Sequence, residues 1–259
     1  MPALRPVFTN NIIQTLQRGV SINLIAQNGQ GRRRLLEDIK CTGLKNTHVI
    51  ILNITNYKES YHEFIAAMWE SFKIKKTVPK SLEELIEKVI NLTEYKTILI
   101  LHHFDELLNN SNIDCDTSFF DQLNSIKDCK KISLLCVTNQ AHDQSVICIK
   151  NEVNRYSWLD LDKIRLPKLT YDEIMVELKY RNLPLSTEEI SLISKVTYSH
   201  TKPYSLLNYL VEKIAIIQID KETTFSAKLE ILIKQYNLDM VKPSNNEYLS
   251  NVLHSSNRI

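Results

Sequence analysis

Between Val20 and Ile39 the chain reads VSINLIAQNGQGRRRLLEDI, and this stretch limits what the rest can build. Val20 to Ile25 is a short apolar and β-branched run of the kind that forms a buried strand, whereas Arg32 to Ile39 has the character of the first turns of a helix. Gly29 and Gly31 lie between them. The whole chain has only 4 glycines, where average usage would give roughly eighteen, so two within three residues mark a point where the backbone needs freedom. Strand, glycine turn and helix together form a layout in which backbone N–H groups and a helix N-terminus face an anion.

The side chains depart from a working phosphate loop. That loop reads G-x-x-x-x-G-K-[ST], with the lysine on the outer phosphates and the hydroxyl on Mg²⁺. Here Ala26 stands at the first glycine, Gly31 at the second, Arg32 at the lysine and Arg33 at the Ser/Thr. The metal-binding hydroxyl is missing, and arginine for lysine is not a conservative exchange because a planar fork replaces a point charge. The other reading is an ordinary strand-to-helix turn with a solvated basic start. Three consecutive arginines oppose the helix dipole, however, and call for another reason to be there.

Composition narrows the classes. Hydrophobic content of 43% with 24% charged residues is that of a globular chain, not a disordered one. A formal charge of +2 is too small to argue nucleic-acid binding in bulk, so any such argument rests on local patches. Cys41, Cys115, Cys129, Cys136 and Cys148 are odd in number and hold no C-x-x-C pair, which reads as free thiols in a reducing compartment. No run of eighteen apolar residues occurs and the N-terminus lacks a leader pattern, so the expectation is a cytoplasmic protein without a membrane span.

In chain order, Met1 to Thr9 reads as an extended lead-in and Asn10 to Arg18 as a short helix closed by Gly19. His48 to Ile54, Thr97 to Leu101 and Lys131 to Asn139 are apolar enough to be parallel strands covered on both faces. Ser60 to Phe72 and Ser81 to Leu92 are amphipathic helices, each with a serine three residues before a glutamate at its start. Ser118 to Ile126 is another helix. Strands alternating with helices predict a parallel sheet with right-handed crossovers. Gln27 to Arg34, His102 to Glu106 and Thr138 to Asn139 would then all fall at carboxyl ends of strands, where such sheets bind ligands.

This order resembles the AAA+ and related STAND-type P-loop ATPases over roughly residues 10 to 215. The implied fold is α/β, a P-loop NTPase-like parallel sheet flanked by helices and followed by a small all-α lid. In that family the central strand ends in an acidic pair, as in I-L-I-L-D-E-F-D-E-L; here Ile98 to Leu107 reads ILILHHFDEL, with His102 and His103 in place of the two acids. Thr138 and Asn139 resemble the polar sensor position. Arg165 to Ile174 resembles the family's entry to its lid, and Val196 to Tyr204 its "T-x-G-x-P-Y" turn without the glycine. The resemblance divides the chain into 1–163, an ATPase-like domain; 164–240, the lid; and 241–259, a flexible tail.

Loop lysine, loop hydroxyl and acidic pair are all absent, and each serves to hold Mg²⁺ and the charge of phosphoryl transfer. Imidazole suits other metals better than Mg²⁺, and adjacent strand residues point to opposite faces. The expectation is a pseudo-ATPase with no catalytic residue, no metal and a vestigial nucleotide site at Gln27, Asn28, Gly29, Gln30, Gly31, Arg32 and Arg33. It would act as a structural or regulatory subunit with a protein partner in a larger assembly. Two alternatives stand beside it. One is a nucleotide-gated switch that holds ATP or ADP weakly without magnesium. The other is a nucleic-acid-binding component of a mobile-element or defence system, using Arg32, Arg33, Arg34, Lys75 and Lys76, joined by Lys73 and Lys80, through counterion release.

Overall fold

In the computed structural model the described residues are 2–57, 60–74, 76–108, 117–127, 129–139, 146–149, 152–155, 161–219 and 223–241. The chain divides into two compact units, Met1–Lys168 and Leu169–Ile259. The first opens with α1 (Pro6–Gln17), β1 (Ile22–Ile25), α2 (Arg32–Cys41), β2 (Thr47–Asn53), α3 (Tyr61–Ser71) and α4 (Leu82–Leu92). It continues with β3 (Lys96–His102), α5 (Asp105–Leu108), α6 (Thr117–Lys127), β4 (Ile132–Thr138), the hairpin β5 (Val146–Ile149) and β6 (Glu152–Arg155), and β7 (Asp162–Arg165).

Five strands form one parallel sheet in the order β2-β3-β4-β1-β7. Side chains alternate across it. Leu99, Leu101, Leu134 and Cys136 join α3, α4 and α6 in one core, while Ile98, Ile100, Leu135 and Val137 join α1 and α2 in the other. All seven residues of β4 are buried, which is why its sequence is a continuous apolar run and not an alternating one. Each fully buried Leu or Ile contributes about 1.5–3 kcal/mol relative to exposure, so the two cores fix the strand register.

Three expectations change. Residues 6–9 are helical, since Pro6 occupies the first position of α1, where its fixed φ and missing N–H cost nothing. Residues 162–165 are a strand paired with β1, so the expected boundary after residue 163 falls inside β7. The hairpin β5–β6, antiparallel with Val146 opposite Arg155, is an addition that the sequence pattern did not lead one to expect.

The second unit is helical: α7 (Tyr171–Tyr180), α8 (Thr187–Ser199), α9 (Pro203–Ile219) and α10 (Phe225–Val241). Thr170 with Glu173 and Ser186 with Glu189 form reciprocal capping boxes at α7 and α8. Ile174, Leu178, Ile193, Leu206, Leu210, Leu229, Leu232 and Tyr236 are buried. The near-buried Glu177 carboxylate accepts from Arg181, which also donates to Asn208 Oδ1 at 2.8 Å. Among the described residues no helix is long and apolar enough to cross a membrane.

Candidate functional site

The turn between β1 and α2 needs its glycines. Gly29 has φ +82° and Gly31 has φ +87°, the left-handed region where a Cβ is costly. Gly31 is the N-cap of α2 and no side chain caps that helix, so its first N–H groups have no side-chain acceptor. The turn is tied down elsewhere. The Ala26 N–H donates to the Thr138 carbonyl at 2.8 Å, and the Gln30 N–H to the Gln27 carbonyl at 3.3 Å. The exposed Asn28 donates its N–H to Asn139 Oδ1 at 3.1 Å. Arg5, buried to 1% exposure, donates to the Gln30 carbonyl at 2.7 Å.

The three arginines, identical in sequence, have three fates, because each helical residue turns the side chain by about 100° from the last. Arg32 bends back over the turn. Its Nη1 donates to the Ala26 carbonyl at 3.4 Å, and its Nη2 lies 3.1 Å from both ring nitrogens of His103. Arg33 points to solvent with 86% of its side chain exposed, paired with Glu37 at 3.2 Å. Arg34 is buried: its Nε donates to Asp38 Oδ1 at 2.8 Å and its Nη2 to the Pro2 carbonyl at 2.9 Å, while Asp38 Oδ2 accepts the Leu4 N–H. Arg34 is therefore a structural clasp on residues 2–4 and not a surface cation for nucleic acid.

His102 ends β3, and strand alternation would send His103 to the other face. His103 instead takes φ +59°, which breaks the alternation. Both rings line one cleft, centroids 4.1 Å apart. Burial, then His103, Arg32 and Arg33, push the His102 pKa down to about 4. His103 is also lowered, by burial and then Arg32, against Asp105 and Glu106. Burial lowers Arg32 as well, with Asp105 opposing. At neutral pH the imidazoles are thus uncharged and the guanidinium beside them carries the charge.

Thr138 does not face this cleft. It is 1% exposed and donates its hydroxyl to Asn23 Oδ1 within the sheet at 3.2 Å. Asn139 holds the turn through Asn28. Lys73, Lys76 and Lys80 are exposed and follow α3, whose core lies on the opposite face of the sheet from that of α2. They do not extend the Arg33 surface into one patch. Lys75 lies outside the described residues. Among the described residues no cluster of His, Cys, Asp or Glu could hold a metal ion.

A cleft of about 570 Å³ sits beside this group, lined by Arg32, Arg33, Leu36, Glu37 and Lys40 of α2, Ile51 and Asn53 of β2, and the two histidines. The turn residues Gln27 to Gly31 are not part of its wall. Within it, His102 Nε2 and Asn53 Oδ1 are buried without a hydrogen-bond partner. His102 and Asn53 are direct neighbours across β2 and β3. The sequence marked the histidines and Arg32; Asn53, Lys40 and Arg5 carried no signal in it.

No family model matches the chain, and no curated protein matches it. Solved structures do. The Aeropyrum pernix ORC1 protein, solved in complex with DNA, is 15% identical with a TM-score of 0.56, matching 95% of this chain and 70% of its own. The Walker-type ATPase PABY2304 of Pyrococcus abyssi is 13% identical with a TM-score of 0.63 over 97% of this chain and 76% of its own. Domain III of the Thermotoga maritima replication initiation protein DnaA is 15% identical with a TM-score of 0.55 over 92% and 91%. At these identities the likeness is one of fold: a five-stranded parallel sheet flanked by helices with a helical C-terminal part, the AAA+ P-loop NTPase fold.

Proposed function

We propose that this chain, built on the AAA+ P-loop fold, acts as a pseudo-ATPase: a structural or regulatory subunit of a larger cytoplasmic assembly that does not hydrolyse ATP. One observation carries the reading, the contact between Arg32 and His103. A lysine and an acid at these two positions would present a cation to phosphate and an anion to Mg²⁺. Here a cation meets neutral imidazoles, which offer no hard anionic ligand, and the guanidinium repels a divalent ion.

The donors do not fit magnesium. Mg²⁺ demands hard oxygen ligands in octahedral geometry, whereas the residues at the relevant positions are an exposed guanidinium and two neutral imidazoles. The first N–H groups of α2, uncapped by any side chain, support a second reading, in which ADP or ATP is held weakly without the metal. Thermal unfolding with ATP or ADP, each with and without Mg²⁺, separates the two, because a ligand of the folded state raises stability by mass action. The pseudo-ATPase reading expects no magnesium-dependent shift and no magnesium-dependent turnover; either one would overturn it.

DNA bound by an ORC1 neighbour supports a nucleic-acid reading of this chain less than its own surface opposes it. Among the described residues, Lys73, Lys76 and Lys80 follow α3, whose core is on the opposite face of the sheet from that of α2, and Arg34 is buried. A protein partner is the reading that remains.

A further inference from the structure

The cleft beside Arg32 is open where its chemistry is least balanced. Arg32 is 9% exposed, yet its acceptors are one carbonyl at a long 3.4 Å and a neutral imidazole. No carboxylate lies within ion-pair distance of it among the described residues. Arg33 and Glu37 neutralise each other, which leaves Lys40 as a second cation on the wall. Asp105 is near enough to favour the Arg32 charge but makes no ion pair with it, and a buried cation whose direct contacts are neutral is costly unless an anion completes it.

The kind of anion follows from what surrounds the space. A phosphate is best held by converging backbone N–H groups; those of Asn28 and Gln30 already donate to Asn139 and Gln27, and the glycine turn is outside the wall. The cleft offers a guanidinium fork and an ammonium, donors that suit a carboxylate or a phosphate alike, so its shape and apolar walls decide between them. Arg33, Leu36, Glu37 and Lys40 recur at helical spacing, so the groove runs about 10 Å along α2. Leu36 and Ile51 give it apolar sides. It lies against β2, the terminal strand of the sheet, whose outer edge can meet another chain. A short acidic peptide segment matches that length, charge and setting.

We propose that this cleft receives an aspartate or glutamate side chain from a protein partner, set between Arg32 and Lys40, which supplies in trans the acid absent from the end of β3. The inference rests on the subunit reading above and names the partner's chemistry.

The test uses the full chain and a hexaglutamate peptide as probe, with affinity read by calorimetry and position read by NMR of the His102 and His103 ring protons. The peptide should bind and raise the pKa of His103, since a carboxylate stabilises the imidazolium. Lys40→Glu, on an exposed residue, should keep the fold and weaken binding about tenfold, since it removes one exposed charge pair and adds a repulsion of similar size. Inorganic phosphate and a single-stranded DNA oligomer, run in parallel, should leave His103 unmoved. Failure of the peptide to bind, binding that ignores Lys40→Glu or leaves His103 still, or a shift of His103 by phosphate or DNA would overturn the proposal. An ATPase assay on the same preparation keeps the two readings apart: turnover removes the pseudo-ATPase, whereas the peptide result decides the docking site.

Discussion

Arg32 Nη2 lies 3.1 Å from both ring nitrogens of His103, joining the start of α2 to the end of β3 across 71 residues of sequence. The contact brings a cation beside two imidazoles whose protonation burial already disfavours, and Arg32 adds to that effect.

Removing the guanidinium should therefore be visible at the histidines. Arg32 is among the causes that hold both His102 and His103 low, so Arg32→Gln should raise both pKa values. The sign follows from losing a neighbouring cation that penalises the imidazolium. Ring-proton titration by NMR checks it; unchanged midpoints would mean that burial alone sets them.

Stability should fall on mild acidification. The His102 pKa is about 4 in the folded chain against an ordinary 6.5, so between those values the unfolded state binds more protons and stability rises with pH. The contribution is complete above pH 6.5, is lost as pH falls toward 4, and, with the ring partly exposed to screening solvent, amounts to about 1–2 kcal/mol. His103 and His48 are lowered too and act in the same direction. Urea midpoints should be lower at about pH 5 than at about pH 7, and removal of the effect by His102→Gln would assign it.

Neighbouring ion pairs on α2 should differ sharply in value. Asp38→Ala takes the carboxylate from the buried Arg34, which keeps its bond to the Pro2 carbonyl, and frees the Leu4 N–H, at a cost of about 3–5 kcal/mol. Glu37→Ala removes only the exposed pair with Arg33, for about 0.5 kcal/mol. Denaturation of both variants compares them, and hydrogen exchange should show the amides of residues 2–5 loosened only in Asp38→Ala.

Gly31→Ala should destabilise by about 1–2 kcal/mol, because the N-cap sits at φ +87° where an L side chain is strained. Gly31→Asn should cost less, since asparagine tolerates that region better. Equal stability of all three forms would show that the turn can relax.

Much of this was legible because the buried strands are continuous apolar runs and the helices carry serine caps and an apolar stripe. What escaped notice has physical causes. β7 reads Asp-Lys-Ile-Arg and lies at the sheet edge with three of four residues exposed, so no apolar run marks it. Pro6 signals a helix start as readily as an extended lead-in. Whether His103 keeps the strand alternation depends on one backbone angle that no side-chain pattern encodes. Three adjacent arginines look equivalent until helical rotation assigns one to the cleft, one to water and one to Asp38. Arg5 and Asn53 matter only through partners 25 and 49 residues away, His102 being Asn53's neighbour on β3.

The opening residues are fastened to α2 at Pro2, Leu4 and Arg5, the last gripping the glycine turn itself through Gln30. Tension applied there, by an attached tag or a tethered neighbour, reaches that turn before it reaches any strand. Mechanically, the first residues are the handle of the turn, and a label meant to leave it undisturbed belongs elsewhere on the chain.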